Sequence, residues 1–131
     1  MSFLSQMIIE DDTMNVLSCS FSFQQGADST GKPSQRPKGG QITVVIESTN
    51  KTDFLEWMIS PNMTKDGEII FYKRDNMASL KTIKFKEAYC LNYDEDFDAV
   101  NDNPLKTRIV ISAKEVTVKD TTFVNNWADK L

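Results

Sequence analysis

Apolar and polar positions alternate along most of this chain, and the alternation sets the elements that it predicts. Within Met14–Gln25, Leu17, Cys19, Phe21 and Phe23 fall on one face while Ser18, Ser20 and Ser22 fall on the other. That is a half-buried strand whose second face meets water or a polar lumen. Gln41–Ser48, read as QITVVIES, is richest in β-branched residues and is the strongest strand. Glu68–Lys73 and Leu80–Phe85 read as the arms of a hairpin across the polar Arg74–Ser79. The second arm runs on through Lys86–Tyr93, and its alternation slips near Glu87–Ala88, which predicts a β-bulge. Leu105–Ala113 places Leu105, Thr107, Ile109 and Ile111 on one face and Lys106, Arg108 and Ser112 on the other. Val116 and Val118 extend it, and Phe123 and Trp127 are expected to fold back onto the body. Phe3–Glu10 is β-prone without clean alternation and is interrupted by Asp11–Asp12. Thr64–Gly67 reads as a turn, with Gly67 free to take positive φ.

One stretch departs from this period. Asp53–Pro61, DFLEWMISP, carries a helical signal. Asp53 suits the N-cap, Glu56 sits three residues on as a capping box wants, and Pro61 ends the helix after about two turns. Phe54, Trp57 and Met58 share a face and are the expected core anchors. Leu55 and Ile59 extend the apolar surface around the side. So short a helix is marginal in water and must be held by packing against a sheet.

Gly26–Gly40 contains four of the five glycines together with Pro33 and Pro37, and it cannot form a core of its own. Loops of about this length in compact domains are usually functional or disordered. This one bears Lys32, Arg36 and Lys38 against a single acid, Asp28. A second polar segment, Asp94–Asn103, is read as an acidic loop. Many strands, frequent turns and one short helix give the expected fold: a mainly β chain, an antiparallel two-sheet barrel or sandwich with one helix, in a single domain over residues 1–131. A strand as flat and apolar as Ile42–Ile46 would aggregate unless it were closed in a barrel or paired with a neighbour. Ile42, Val44 and Ile46 are therefore candidate subunit contacts, and the helix, apolar on more than one side, is expected to meet a second surface through Leu55 and Ile59.

Charge and composition narrow the function. A net charge of −4 and a pI near 4.8 argue against nucleic acid and against an anionic membrane surface. No apolar run is long enough to span a bilayer, and the first ten residues lack a signal-peptide pattern, so synthesis in the cytoplasm is expected. Cys19 and Cys90 both lie in strand patterns and are expected as reduced, buried thiols. The chain has no histidine, which removes the commonest general base and the commonest zinc ligand. Asp94, Glu95, Asp96 and Asp98 resemble the opening of a calcium loop, but Ala99 and Leu105 stand where an EF-hand needs glycine and glutamate. No phosphate loop, nucleophile elbow or paired carboxylate across a cleft is present. No catalytic residue, metal or cofactor is expected.

The chain resembles the Hcp (TssD) tube proteins of the bacterial type VI secretion system, in their shorter-chain branch. The likeness is carried by CSFSFQQ at Cys19–Gln25, TGKPSQRPKGGQITVVIEST at Thr30–Thr49 and FLEWM at Phe54–Met58. It continues in KDGEIIFYKRD at Lys65–Asp75, LKTIKFKEAYCLNY at Leu80–Tyr93 and SAKEVTV at Ser112–Val118. The resemblance implies a barrel of two sheets flanked by one helix, six copies closed into a ring, and rings stacked into a tube that a contracting sheath expels. It implies sheath, baseplate and spike proteins as partners, effectors in the lumen, and export from a Gram-negative cytoplasm without a signal peptide. It implies a loop at 26–40 that leaves the ring plane to reach the next ring. Lys32, Arg36 and Lys38 are then expected to meet Asp94, Glu95, Asp96 and Asp98 of that ring. The alternative from another class is a monomeric β-barrel that binds a small ligand or carbohydrate, stacking it on Trp57, Tyr72, Tyr89 and Tyr93.

Overall fold

The computed structural model describes residues 4–48, 52–73, 76, 78–100 and 105–127. Seven strands and one helix follow in chain order: β1 Ser5–Ile9, β2 Asp12–Phe21, β3 Gln41–Glu47, α1 Phe54–Ile59, β4 Lys65–Tyr72, β5 Ser79–Phe97, β6 Leu105–Val118 and β7 Thr121–Val124. All pairings are antiparallel. The order β3-β2-β1-β4-β5-β6-β7, with β3 also paired to β6, closes the first six strands into a barrel and leaves β7 as an added strand.

Closure answers the hazard posed by the apolar strand. β3 has β2 along one edge and β6 along the other, so neither edge is open. Its alternation sends Ile42, Val44 and Ile46 inward, each at most 1% exposed, while Thr43 and Val45 face outward. The expectation that Ile42, Val44 and Ile46 touch another subunit is therefore overturned. Their side chains are spent on this chain's own core, with Ile69, Ile83, Phe85, Ile109 and Ile111.

The helix forms where its cap signals place it. The Asp53 carboxylate accepts from the Glu56 N–H at 2.9 Å, and Ser60 leaves helical geometry before Pro61. Phe54 and Trp57 are buried, with ring centroids 6.3 Å apart, and the Trp57 indole N–H donates to the Ala88 carbonyl at 3.1 Å. Met58 is a correction: it is 36% exposed rather than a core anchor. A helix of six residues resting on one sheet has a contact stripe one or two side chains wide, and Phe54 and Trp57 fill it. Leu55 and Ile59 are exposed, the latter by 67%.

Other expectations shift for local reasons. Alternation in β2 breaks at a register shift between Val16 and Ser18, so Leu17 turns out to solvent while Cys19 and Phe21 are half-buried. Cys90 is buried, but Cys19 is only partly so, and both are free thiols. The slip at Glu87–Ala88 is a bulge, with Glu87 at φ 51° and its N–H donating to the Asp66 carboxylate at 2.8 Å. Lys65–Gly67 is strand rather than turn. Gly67 owes its place to close packing: a Cβ there would lie 2.6 Å from the Ile8 carbonyl oxygen and 2.7 Å from the Phe85 ring. Residues 74, 75 and 77 of the hairpin connection lie outside the described residues.

Candidate assembly surfaces

The loop at 26–40 is a narrow two-branched arm. Gln24 and Lys38 exchange backbone hydrogen bonds of 2.9 and 2.7 Å near its root, and Ala27 bridges to Pro33 further out. At the tip the Asp28 carboxylate accepts from the Thr30 hydroxyl and from the N–H groups of Thr30 and Lys32. The Thr30 hydroxyl first, and those amides after it, hold the Asp28 carboxyl below its ordinary pKa. An Asx turn of this kind shapes a loop that has no core to rest on. Lys32, Arg36 and Lys38 are all exposed along the arm.

The expected acidic loop is largely strand. Asp94–Phe97 completes β5, paired in register with Leu105–Arg108, and residues 101–103 lie outside the described residues. Asp94 already has an ion-pair partner in this chain, and the other carboxylates have near neighbours. Arg108 meets Asp94 at 3.4 Å, Asp96 stands opposite Lys106, Glu95 accepts from the Tyr93 hydroxyl, and Asp98 accepts from the Val100 N–H. The hydrogen bond to Glu95 is the main reason that the Tyr93 phenol is pushed up to about 12. An i, i+2 alternation explains the sharing: Asp94 and Asp96 lie on one face beside Arg108 and Lys106, and Glu95 lies on the other. The cross-strand cations could be read from the Leu105–Ala113 pattern, but the register that brings them to these acids could not.

The arm and the acidic strand end sit at opposite ends of one sheet. The arm's return branch enters β3 at Gln41, beside Ser112 of β6 and, through it, Tyr89 of β5. The acidic end lies beside Lys106, which pairs with Glu47 at the far end of β3. Seven residues of strand at about 3.3 Å each separate the two by about 20 Å.

One face of the barrel also has an open strand edge on each side among the described residues. Ser18–Phe21 of β2 pairs only with β3, and Tyr89–Phe97 of β5 pairs only with β6. They bound the four-stranded face β2-β3-β6-β5 on its two sides. Its outward residues, Ser18, Ser20, Thr43, Val45, Arg108 and Asp94, are mostly polar.

The residues proposed for ligand stacking do not converge. Trp57 is sealed in the core, the Tyr72 hydroxyl donates to the Gln6 side chain, Tyr89 packs on Trp127, and Tyr93 serves Glu95. The barrel interior is filled by core side chains, so it leaves no lumen for a ligand. No group of three or more metal-ligating side chains occurs among the described residues, and none of their helices is long and apolar enough to cross a membrane.

Comparison with known proteins agrees with this geometry. A family model described as Hemolysin coregulated protein Hcp (TssD) matches residues 1–128. Hcp1 from Flavobacterium johnsoniae is 38% identical, with a TM-score of 0.87 over 94% of this chain and 100% of that one. Hcp1 from Salmonella typhimurium, at 11% identity, shares the fold with a TM-score of 0.72 over 94% of this chain and 92% of that one. So does the tube-terminating cap of the anti-feeding prophage, at 18% identity and a TM-score of 0.56, over 89% and 88%. No curated protein sequence matches.

Proposed function

This chain belongs to the Hcp (TssD) family of structural tube proteins, which are not enzymes, and we propose that it closes into six-membered rings that stack head-to-tail in the type VI secretion system. The observation that carries this reading is the placement of a basic arm and an acidic strand end at opposite ends of one sheet. A heterologous contact between two unlike faces that does not close on itself generates a filament. Lys32, Arg36 and Lys38 of one ring then face the acidic rim of the next. Glu95, Asp96 and Asp98 are the partners there, since Asp94 is taken by Arg108 in its own chain. Exposed pairs contribute at most about 1 kcal/mol each, but a ring repeats them in every subunit.

Within a ring, the open edge of β2 in one copy meets the open edge of β5 in the next. Pairing of this kind continues the four-stranded face around the ring, turns its polar outer side to the lumen, and hides both edges. Effector proteins are the expected lumen occupants. Sheath, baseplate and spike components are the expected partners outside the ring and at its ends. The protein is made in a Gram-negative cytoplasm and leaves through the apparatus that it helps to build.

Charge reversal tests the stacking. A chain carrying Lys32→Glu, Arg36→Glu and Lys38→Glu should sediment as six copies even in molar salt, yet form no tubes by electron microscopy. Adding Asp96→Lys and Asp98→Lys should restore them in part. A parent that stays monomeric at every concentration, or a triple variant that still builds full tubes, would overturn the proposal.

A further inference from the structure

We propose that the C-terminal segment Thr121–Trp127 is a splint that sets the direction in which the basic arm leaves the barrel, with Phe123 and Asn125 as positioning residues for stacking. This rests on the stacking role given to the arm above. The arm has hydrogen bonds across its width at Gln24–Lys38 and Ala27–Pro33, and these hold its two branches together. They do not fix its angle to the barrel. An angle can be fixed only at the root, and both branches there are gripped by the same segment.

On the outgoing branch Phe23 lies edge-on between Phe21 and Phe123, at centroid distances of 6.3 and 5.2 Å. On the return branch the Asn125 side-chain amide donates to the Gly39 carbonyl at 3.1 Å and to the Ala113 carbonyl at 2.8 Å, tying the arm to β6. The Asn125 N–H donates to the Lys114 carbonyl and the Ala113 N–H to the Gly40 carbonyl, which complete the joint. The two glycines are dictated by it. A Cβ on Gly39 would come within 2.0 Å of the Phe23 ring, and one on Gly40, at φ +89°, within 2.6 Å of the Asn125 amide nitrogen. Beyond the joint, Trp127 packs on Tyr89 at 5.6 Å and pins the end of the segment to β5.

A purely structural role for this segment would be to cover the part of β6 that β3 leaves unpaired. The ladder from Glu115 to Val118 does that with Thr121–Val124 alone. It does not call for an amide reaching the arm's own carbonyl, nor for an aromatic contact to a Phe23 that stays 42% exposed. Those contacts lie outside the buried core and all point at the arm root. A stacking device needs that aim, because a swinging arm must be ordered anew at each ring-to-ring contact.

The full-length variants Asn125→Ala and Phe123→Leu test this by hydrogen exchange and electron microscopy, with the triple charge reversal alongside. Ring mass and the slow exchange of core amides such as Val44 and Ile109 should be unchanged. The Ala113 amide, which donates to the Gly40 carbonyl at the joint, should exchange at least tenfold faster, and tubes should be shortened or lost. Unchanged exchange at Ala113 overturns the splint. Faster exchange with full-length tubes also overturns it as a stacking device. The charge-reversed chain separates the two ideas. If it too builds tubes, the arm's role in stacking has failed; if it loses them while Asn125→Ala keeps them, only the splint has failed.

Discussion

Trp57→Ala is the substitution whose cost the structure defines most sharply. Trp57 has no exposed surface, packs at 6.3 Å and 32° against Phe54, and donates its indole N–H to the Ala88 carbonyl. Truncating a buried tryptophan forfeits the transfer energy of the ring and leaves a cavity, together about 3–5 kcal/mol. Losing the buried hydrogen bond adds about 1 kcal/mol. The helix offers no slack to recover this, since six residues cannot hold themselves in water and Trp57 is one of only two buried side chains that α1 contributes. The expected loss of about 4–6 kcal/mol is a large share of the roughly 5–15 kcal/mol that domains possess. At about 3–5 °C per kcal/mol for a chain of this size, melting should fall by roughly 12–30 °C. Trp57→Phe separates the contributions: it keeps much of the volume but not the N–H, and should cost about 1–3 kcal/mol. Urea unfolding by circular dichroism, at one protein concentration because ring assembly adds a concentration-dependent term, gives both values. If Trp57→Ala unfolds within about 1 kcal/mol of the parent at an unchanged m-value, α1 does not clamp the barrel through this residue.

Two further predictions follow from the titratable groups. Burial lifts the Cys19 thiol from 9.0 to about 11, so at pH 8 its thiolate fraction, and with it the rate of alkylation, should be about a hundredfold below that of the denatured chain. Native labelling within tenfold of the denatured rate would refute this. Asp28 is held below its ordinary pKa by the Thr30 hydroxyl and the loop amides. Its contribution to the arm tip is therefore complete above the ordinary carboxylate value and is lost as pH falls through the lowered one. The protection factors of the Thr30 and Lys32 amides should fall in acid and, in Asp28→Ala, at every pH, while the barrel's melting temperature stays put. Equal protection in the two chains would refute the Asx turn.

What could be read from the sequence is what depends on neighbours a few residues apart. The alternation of Ile42, Val44 and Ile46 with Thr43 and Val45 names the inward face of β3 wherever that strand lies. Asp53, Glu56 and Pro61 bound the helix because capping and proline sterics act over three or four residues. Resemblance along the chain then gave the family, and with it the barrel. The rest turned on pairings between residues far apart. β3 met β6 some sixty residues later, which made its apolar face core instead of interface. One shifted register at Leu17 turned a residue outward that plain alternation had placed inside. Asp94 looks free in sequence and is partnered only because β5 is long enough to reach Arg108. Met58 matches Trp57 in apolar character but not in burial, since a short helix on a single sheet buries only a narrow stripe. Asn125 carries no signal in its own neighbourhood. Its two carbonyl partners lie 86 and 12 residues away, and only the closed barrel brings them within reach of one amide.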